Sequence, residues 1–229
     1  MKFDYSLYLV TSRMYTGSAA LGEKTVNDRK IKFAETDDRI PGALELCAAV
    51  EQAILGGCTM VQLREKEISS RDFYYLANKV KQITDKYDIP LIINDRIDIA
   101  LSVGAAGVHI GQSDIPVLAA RKAAGQNMLL GVSAISTAEA VRAWQDGADY
   151  LGAGAMFPTK TKSDAKPVSI EELAAIRRAV PIPVVAIGGI NRENAASLMK
   201  LGIDGVAVVS AILSQPDIRG AAKELKNIF

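Results

Sequence analysis

Eight short apolar runs, most of them rich in β-branched residues, recur along the chain and alternate with segments of helical length. Strands that alternate with helices pair in parallel through right-handed crossovers. Eight such units in 229 residues predict an α/β fold, a (βα)8 TIM barrel, with an open doubly wound sheet as the alternative. The predicted strands span residues 7–11, 60–64, 90–94, 107–111, 129–133, 150–154, 184–188 and 205–210.

A weak internal repeat favours the closed barrel over the open sheet. A helix end, a glycine and a strand recur as "LGGCTMVQLR", "VGAAGVHIG", "DGADYLGAG" and "LGIDGVAVVS" before the second, fourth, sixth and eighth strands. Such even spacing is expected of a barrel built from doubled βα units. Capping residues also mark helix starts, as in "SIEE" from Ser169 and "NREN" from Asn191. The sequence therefore predicts one TIM-barrel domain over residues 1–229.

The irregular region of the chain is an extended polar connection at about 12–41, directly after the first strand. It is long for a connection between a strand and the next helix. A mobile lid, an added short helix and partial disorder are each compatible with its charged composition.

Composition excludes several classes of partner. Lys and Arg number 27 against 26 for Asp and Glu, so no overall field attracts nucleic acid or an acidic membrane. The N-terminal apolar run is too short for a signal peptide, and no stretch is long enough to span a bilayer. Cys47 and Cys58 lack the spacing of metal ligands and read as reduced thiols. We therefore expect a cytoplasmic protein that acts on small molecules, and both a monomer and a homo-oligomer are compatible with the sequence.

Polar residues follow seven of the predicted strands. Active sites of TIM barrels lie at the C-terminal ends of the strands and in the loops after them. Three of these residues, in "QLREK", alternate along the backbone and should point the same way. The strand-end residues, from the second strand to the eighth, are Gln62, Arg64, Lys66, Asn94, Asp95, Asp114, Ser133, Thr159, Thr161, Lys162, Gly189 and Ser210.

These residues sort into two predicted anion sites. Gly189, the amides of Val209 and Ser210 and the threonines of "FPTKTK" offer neutral donors that suit a phosphate monoester. The other site combines cations with two carboxylates, which make a poor anion site unless Mg2+ bridges them to a diphosphate. The members of this second site are Arg64, Lys66, Asn94, Asp95, Asp114 and Lys162.

Less specific interpretations of the same residues stay open. Asp114 also suits a helix cap, and "FPTKTK" also suits a solvated loop. His109, the one histidine, lies inside the fourth strand, where hydrogen bonding to its neighbours is more typical than proton transfer. No pair of nucleophile and base is visible, so a substitution in which diphosphate leaves, helped by positive charge, fits the residues best.

The motifs "YLVT", "QLREK", "NDRIDIA", "GVHIGQSD", "GVSA", "GADYLGAGAMFPTKTK", "AIGGI" and "GVAVVSAI" resemble those of the thiamine-phosphate synthase family of TIM-barrel transferases. The resemblance covers nearly the whole chain outside residues 12–41. It implies that a pyrimidine diphosphate and a thiazole phosphate, or its carboxylate, are joined to give thiamine phosphate and diphosphate. The implied mechanism is a Mg2+-assisted dissociative substitution, in which a thiazole nitrogen without a proton captures a pyrimidine-methyl cation.

The resemblance also implies roles for individual residues. It assigns Mg2+ to Asp95 and Asp114, and catalysis to Arg64, Lys66, Ser133 and Lys162. The residues that it assigns to the pyrimidine diphosphate are Gln62, Leu63, Arg64, Glu65, Lys66, Asn94, Ser133 and Lys162. Those that it assigns to the thiazole phosphate are Thr159, Lys160, Thr161, Gly189, Val209 and Ser210.

The chain departs from the family pattern at two residues and in one loop. Ser12 stands where an aspartate is usual, Ile135 stands where a histidine is frequent, and the connection at 12–41 is longer than usual. A thiazole tautomerase of the same fold is the first alternative, but Ile135 and the intact "TKTK" loop count against it. A non-catalytic barrel that binds thiamine intermediates, and a phosphate-binding isomerase or epimerase, are the others.

Overall fold

Eight parallel strands pair in chain order and close into a barrel in the computed structural model, which describes residues 3–15, 40–159, 161 and 166–229. The first strand closes the ring on the last, with Leu7 opposite Val206. The predicted (βα)8 barrel is confirmed, and the open sheet is excluded. The strands are β1 (Leu7–Val10), β2 (Met60–Leu63), β3 (Leu91–Asn94), β4 (Gly107–Ile110), β5 (Leu129–Ala134), β6 (Tyr150–Ala153), β7 (Val184–Ile187) and β8 (Gly205–Val208).

Helices follow the strands and pack outside the barrel. A 3-10 helix at Arg13–Tyr15 follows β1, and most of the predicted polar connection at 12–41 lies outside the described residues. Within the described ranges, no helix combines the length and the apolar character needed to cross a bilayer. The helices are α1 (Ala43–Leu55), α2 (Ser70–Lys86), α3 (Ile97–Val103), α4 (Val117–Ala124), α5 (Thr137–Gln145), α6 (Ile170–Ala179), α7 (Ala195–Met199), α8 (Ser210–Leu213) and α9 (Ile218–Lys226).

The strands are buried on both faces, which explains why they read as continuous apolar runs. In β1, Leu7 and Leu9 pack in the layer between the barrel and the helices. The alternate residues Tyr8 and Val10 face the barrel interior, where they join a smaller cluster with Tyr150. The interior cluster therefore carries hydroxyl groups, which become important at the site.

Serine caps start three of the helices as the sequence predicts. Ser169 is one of them, since its hydroxyl accepts the amide hydrogen of Glu172 at 3.1 Å. The prediction that a helix starts at Asn191 is wrong, because α7 begins only at Ala195. The Asn191 side chain instead accepts from the amide of Glu193 at 2.9 Å, a local turn that competes with the helix.

The repeat has a physical cause at the N-terminal end of the barrel. In each copy a glycine with positive φ ends the preceding helix and turns the chain into an even-numbered strand. Its φ is 110° at Gly57, 62° at Gly104, 104° at Gly147 and 73° at Gly202. A side chain would strain this left-handed backbone, so glycine recurs at each of these turns.

A second element of the repeat ties neighbouring strands together. Two residues after the glycine, the Thr59 and Asp204 side chains accept from the amides of Leu7 at 3.2 Å and Val184 at 2.9 Å. Asp149 does the same for the Leu130 amide at 2.7 Å. These bonds satisfy backbone amides near the start of β1, β5 and β7 and close the bottom of the barrel.

Arg121 on α4 joins this bottom network, and we expect Arg121→Met to lower the free energy of unfolding by roughly 3 kcal/mol. The guanidinium, whose side chain is 11% exposed, contacts the Asp149 carboxylate at 2.5 Å. It also donates to the carbonyls of Gly125, Met128 and Gly147 at 2.7–3.0 Å. Methionine would leave these acceptors without their donor. Urea denaturation measures the loss.

Arg142→Met is the matched control for this prediction. Arg142 lies on the neighbouring helix α5, is 85% exposed and stands 3.7 Å from Asp146. An exposed pair of this kind contributes less than about 1 kcal/mol. Equal destabilisation by the two substitutions would contradict a structural role for the Arg121 network.

Candidate active site

A cavity of about 550 Å3 opens at the C-terminal ends of the strands, where the sequence predicts the active site. Side chains from every part of the barrel line it. Lys160 and Lys162 lie outside the described residues. The predicted residues that line the cavity are Gln62, Arg64, Lys66, Asn94, Asp95, Asp114, Ser133, Thr159, Thr161, Gly189, Val209 and Ser210.

The segment after β2 follows the predicted alternation. Gln62, Arg64 and Lys66 line the cavity. Leu63 is fully buried in the layer between the barrel and the helices. Glu65 turns to Arg13, whose Nε lies 2.9 Å from both carboxylate oxygens. The alternating backbone therefore points the side chains of Leu63 and Glu65 away from the cavity, although the resemblance includes both among the ligand-binding residues.

The main chain at Arg64 is fixed by the neighbouring strand. Its amide donates to the buried Thr11 hydroxyl at 3.0 Å. The Thr11 amide in turn donates to the Gln62 carbonyl at 2.8 Å. The cation thus projects from a rigid base, which favours a defined position for an anionic ligand.

Two carboxylates meet on the β3 and β4 side of the cavity. Asp95 has a left-handed backbone with φ of 62°, and its amide donates to the His109 carbonyl at 2.8 Å. Its carboxylate lies 2.5 Å from the Lys66 ammonium. Burial and the neighbouring Asp95 carboxylate raise the pKa of Asp114, while the Gly111 amide and the Lys66 cation oppose this shift. Two adjacent carboxylates of this kind match the ligands that Mg2+ prefers.

The helix-cap interpretation of Asp114 is wrong. Helix α4 begins at Val117 after Pro116, and no side chain caps it. Asp114 instead accepts from the Gly111 amide at 2.7 Å, within the loop that follows β4. Its carboxylate therefore stays on the cavity wall beside Asp95.

Asn94 presents an unpaired donor to the same wall. The residue is 7% exposed, and its Nδ2 has no hydrogen-bond partner within the described part of the chain. A buried donor without a partner costs about 1–3 kcal/mol, so such a group is typical of a ligand site. An acceptor on a bound ligand would satisfy it.

A chain of polar side chains forms the cavity floor, inside the barrel. Gln62 Nε2 donates to the Tyr8 hydroxyl at 2.9 Å, and the Tyr8 and Tyr150 hydroxyls lie 2.9 Å apart. His109 bridges Tyr150 and Ser133, with Nδ1 at 3.1 Å from the tyrosine oxygen and Nε2 at 3.0 Å from the serine oxygen. The interior, hydrogen-bonded environment predicted for His109 is confirmed.

Two glycines make space for this polar chain. A Cβ on Gly131 would lie 2.1 Å from Cζ of Tyr150 and 2.5 Å from Nδ1 of His109. A Cβ on Gly152 would lie 3.1 Å from the His109 ring. Any side chain at Gly131 would displace the hydrogen-bonded rings, which explains why glycine interrupts the apolar strand β5.

The loops after β6 and β7 pack against each other at the opposite wall. Gly188 accepts from the Phe157 amide at 3.0 Å. Gly189 has φ of 62°, and a Cβ there would lie 2.6 Å from the Pro158 carbonyl. This contact holds the "FPT" turn beside Gly189 and brings Thr159 to the same wall. Glycine is therefore required at position 189 because the backbone of the loop after β6 lies against it.

Ser210 completes this wall from β8. It opens the short helix α8, which α9 follows. Lys166 also lines the cavity, although sequence reasoning missed it because it lies beyond the quoted loop motif. Of the two departures from the family pattern, Ile135 lines the cavity, whereas Ser12 is buried outside its lining.

Comparisons with known proteins identify the family of the chain. A sequence model of the family described as thiamine monophosphate synthase matches residues 34–212. The thiamine-phosphate synthase of Ruminiclostridium cellulolyticum is 55% identical over 228 residues, covering 100% of this chain and 97% of that protein. The chain belongs to the thiamine-phosphate synthase family. It is therefore an enzyme, a transferase that acts on small molecules.

Other members of the thiamine-phosphate synthase family are similarly close. The enzyme of Clostridium beijerinckii is 53% identical over 228 residues, with 100% of this chain and 97% of that protein covered. A solved structure of thiamine phosphate pyrophosphorylase from Pyrococcus furiosus superposes with a TM-score of 0.81 at 36% identity, covering 98% and 95% of the two chains. A 3-hexulose-6-phosphate synthase, at 19% identity and a TM-score of 0.67, shares the fold.

Proposed function

We propose that this enzyme joins 4-amino-2-methyl-5-hydroxymethylpyrimidine diphosphate to 4-methyl-5-(2-phosphoethyl)thiazole, or to its carboxylate, and releases thiamine phosphate and diphosphate. The observation that carries the proposal is the division of one cavity into two anion-binding walls. One wall has cations, two carboxylates and the Asn94 amide, which has no partner among the described residues, and the other is rich in neutral donors. Family membership supplies the class of reaction.

The diphosphate binds at the first wall. Arg64 and Lys66 supply positive charge, while Asn94 Nδ2 and the Ser133 hydroxyl supply neutral donors. Lys162 would add a further cation from the loop after β6. Positive charge placed where the leaving group gains charge is usually the largest contribution to such catalysis.

Mg2+ fits the pair Asp95 and Asp114. The residues suit a hard divalent cation because the two carboxylates lie together on the cavity wall. When bound, Mg2+ would neutralise charge on the diphosphate oxygens. Lys66, which contacts Asp95, would then be released to pair with the diphosphate.

The thiazole phosphate binds at the second wall. Gly189 and the amides of Val209 and Ser210 provide neutral donors there, together with the threonine loop. The threonine loop comprises Thr159, Lys160 and Thr161, and the Thr161 amide donates to the Thr159 hydroxyl at 3.2 Å. A wall rich in backbone amides and hydroxyls suits a monoester, whereas the more highly charged diphosphate requires the cations of the first wall.

The reaction proceeds by departure of diphosphate before the new bond forms. The C–O bond to the pyrimidine methylene breaks, its electron pair leaves with the diphosphate, and the thiazole nitrogen donates the pair that forms the C–N bond. That nitrogen carries no proton, so no base is required. The apolar wall at Ile135, Ile187 and Ile190 keeps water from the cationic intermediate.

The thiazole tautomerase alternative requires a titratable group near position 135. Ile135 fills that part of the cavity wall, and both ring nitrogens of His109 are engaged by Tyr150 and Ser133. A non-catalytic binding barrel would not require the cations and carboxylates to converge. We also propose a cytoplasmic location, no nucleic-acid or membrane partner, and assembly as either a monomer or a homo-oligomer.

We expect the purified protein, supplied with both substrates and Mg2+, to form thiamine phosphate and diphosphate in equal amounts. Excess EDTA should stop product formation, and added Mg2+ should restore it, because the carboxylate pair repels a diphosphate unless a cation lies between them. Mass spectrometry follows the product. Isomerisation of a thiazole phosphate without the pyrimidine substrate would favour the tautomerase, and full activity in EDTA would refute the metal.

A further inference from the structure

Because the structure places Gln62 Nε2 towards Tyr8, the five polar side chains of the cavity floor connect in one direction without leaving a buried hydrogen unpaired among the described residues. Gln62 Nε2 is a donor, so the Tyr8 oxygen accepts from it. The single Tyr8 hydrogen then points to the Tyr150 oxygen 2.9 Å away. If Tyr150 donated to Tyr8, the Tyr8 oxygen would accept two hydrogen bonds. The hydrogen of Tyr8, which is 2% exposed, would then lack an acceptor among the described residues.

The same reasoning fixes the tautomer of His109. The Tyr150 hydrogen, which has no other acceptor among the described residues, is donated to Nδ1 at 3.1 Å. A neutral imidazole carries one hydrogen, which therefore lies on Nε2 and is donated to the Ser133 oxygen at 3.0 Å. Within the described part of the protein, the hydroxyl hydrogen of Ser133 has no acceptor, and Ser133 lines the cavity.

Burial keeps both tyrosines protonated, so each hydroxyl can accept one hydrogen bond and donate another. It raises the pKa of Tyr8 and of Tyr150 well above the ordinary tyrosine value. Both side chains therefore remain neutral hydroxyls with one hydrogen each at physiological pH.

We propose that this series of hydrogen-bonded side chains orients the Ser133 hydroxyl hydrogen towards the diphosphate, with Tyr8, Tyr150 and His109 as positioning residues. The proposal extends the proposed function and rests on it for the identity of the ligand. Gln62 at the other end directs its amide nitrogen to Tyr8, which leaves its Oε1 as an acceptor.

The two ends of the chain match the two ends of one substrate. An aminopyrimidine offers an N–H to the Gln62 carbonyl, and a diphosphate offers acceptor oxygens to the Ser133 hydroxyl. A chain running the opposite way would present a donor to the amino group and withdraw the Ser133 hydrogen. Recognition of the ring at Gln62 is thereby coupled to the donor that faces the leaving group.

Nuclear magnetic resonance tests the direction of the chain without any enzymatic assay. His109 is the single histidine of the protein, so selective 15N-histidine labelling yields one imidazole. Long-range 1H–15N correlation on the ligand-free protein at mildly alkaline pH should show the hydrogen on Nε2. A hydrogen on Nδ1, or on both nitrogens, would overturn the proposal whatever the protein catalyses.

Kinetics of Tyr150→Phe test the consequence for Ser133. We expect kcat/KM for the pyrimidine diphosphate to fall about tenfold, with KM for the thiazole phosphate unchanged, because a donor facing developing charge is no longer oriented. Tyr5→Phe is the matched control. Tyr5 packs against Tyr150 with ring centroids 5.2 Å apart, and its hydroxyl is not part of the chain, so wild-type rates are expected.

A double-mutant cycle separates orientation from packing. Once Ser133→Ala has removed the oriented donor, adding Tyr150→Phe should cause no further loss. Additive losses would overturn the proposal. If Tyr150→Phe unfolds, Tyr8→Phe replaces it: Nδ1 is then the remaining acceptor for the Tyr150 hydrogen among the described residues, so the His109 hydrogen should stay on Nε2. A hydrogen on Nδ1 in this variant would overturn the proposal. Failure of the wild-type protein to form thiamine phosphate would refute the proposed function alone, because the tautomer remains measurable.

Discussion

The Arg64→Met variant is expected to form thiamine phosphate roughly a hundredfold more slowly than the unaltered protein, with most of the loss in kcat. Arg64 lines the cavity on the diphosphate wall, and its main chain is fixed by Thr11. Charge on the leaving diphosphate increases as the C–O bond breaks, so a cation there stabilises the transition state more than the bound substrate. Steady-state kinetics with each substrate varied in turn measures the effect.

Arg71→Met controls for loss of an arginine elsewhere on the same βα unit. Arg71 is exposed on α2, away from the cavity lining. This variant should retain wild-type kcat and KM. If Arg64→Met raised only KM, the cation would bind the substrate and transition state equally. If neither variant lost activity, the diphosphate would not lie at this wall.

The fold was accessible from the sequence because its signals are local. Strands buried on both faces appear as apolar runs, and the left-handed turn at positions such as Gly104 and Gly202 accepts glycine with little strain. Helix starts are less accessible. Asn191 has the composition of a cap, but its side chain closes a turn before α7, and sequence alone does not distinguish the two.

The rim of the site was also accessible, because strand-end residues of a closed barrel converge whatever their separation in the chain. The two tyrosines of the floor were not. Tyr8 and Tyr150 lie inside strands that read as ordinary buried runs, and their hydroxyls meet only because both side chains point into the interior of the closed barrel. The alternation in "QLREK" predicts that Gln62 faces the site and Leu63 does not, as the structure shows. The family resemblance, in contrast, assigns both residues to the ligand.

Asp114→Asn is expected to slow product formation at least roughly a hundredfold at limiting Mg2+, because the amide cannot supply the second negative ligand. Raising the Mg2+ concentration should restore part of the rate through Asp95. The ligand-free fold should be slightly more stable. The asparagine oxygen can still accept from the Gly111 amide, and the repulsion that contributes to the raised pKa of Asp114 is removed.

Opposite changes in activity and stability are what distinguish a metal site from a structural carboxylate. Asp85→Asn is the matched control: Asp85 is 59% exposed and pairs with Lys81 on α2, so the rate and its Mg2+ dependence should not change. Mg2+ titrations of the rate and thermal unfolding in EDTA give both quantities. A structural Asp114 would lower the unfolding temperature and leave the half-saturating Mg2+ concentration unaltered. If Asp114 is a Mg2+ ligand, the variant should unfold at a higher temperature and need more Mg2+ for half-saturation, because Lys66 and the Gly111 amide offset the repulsion between the two carboxylates only in part.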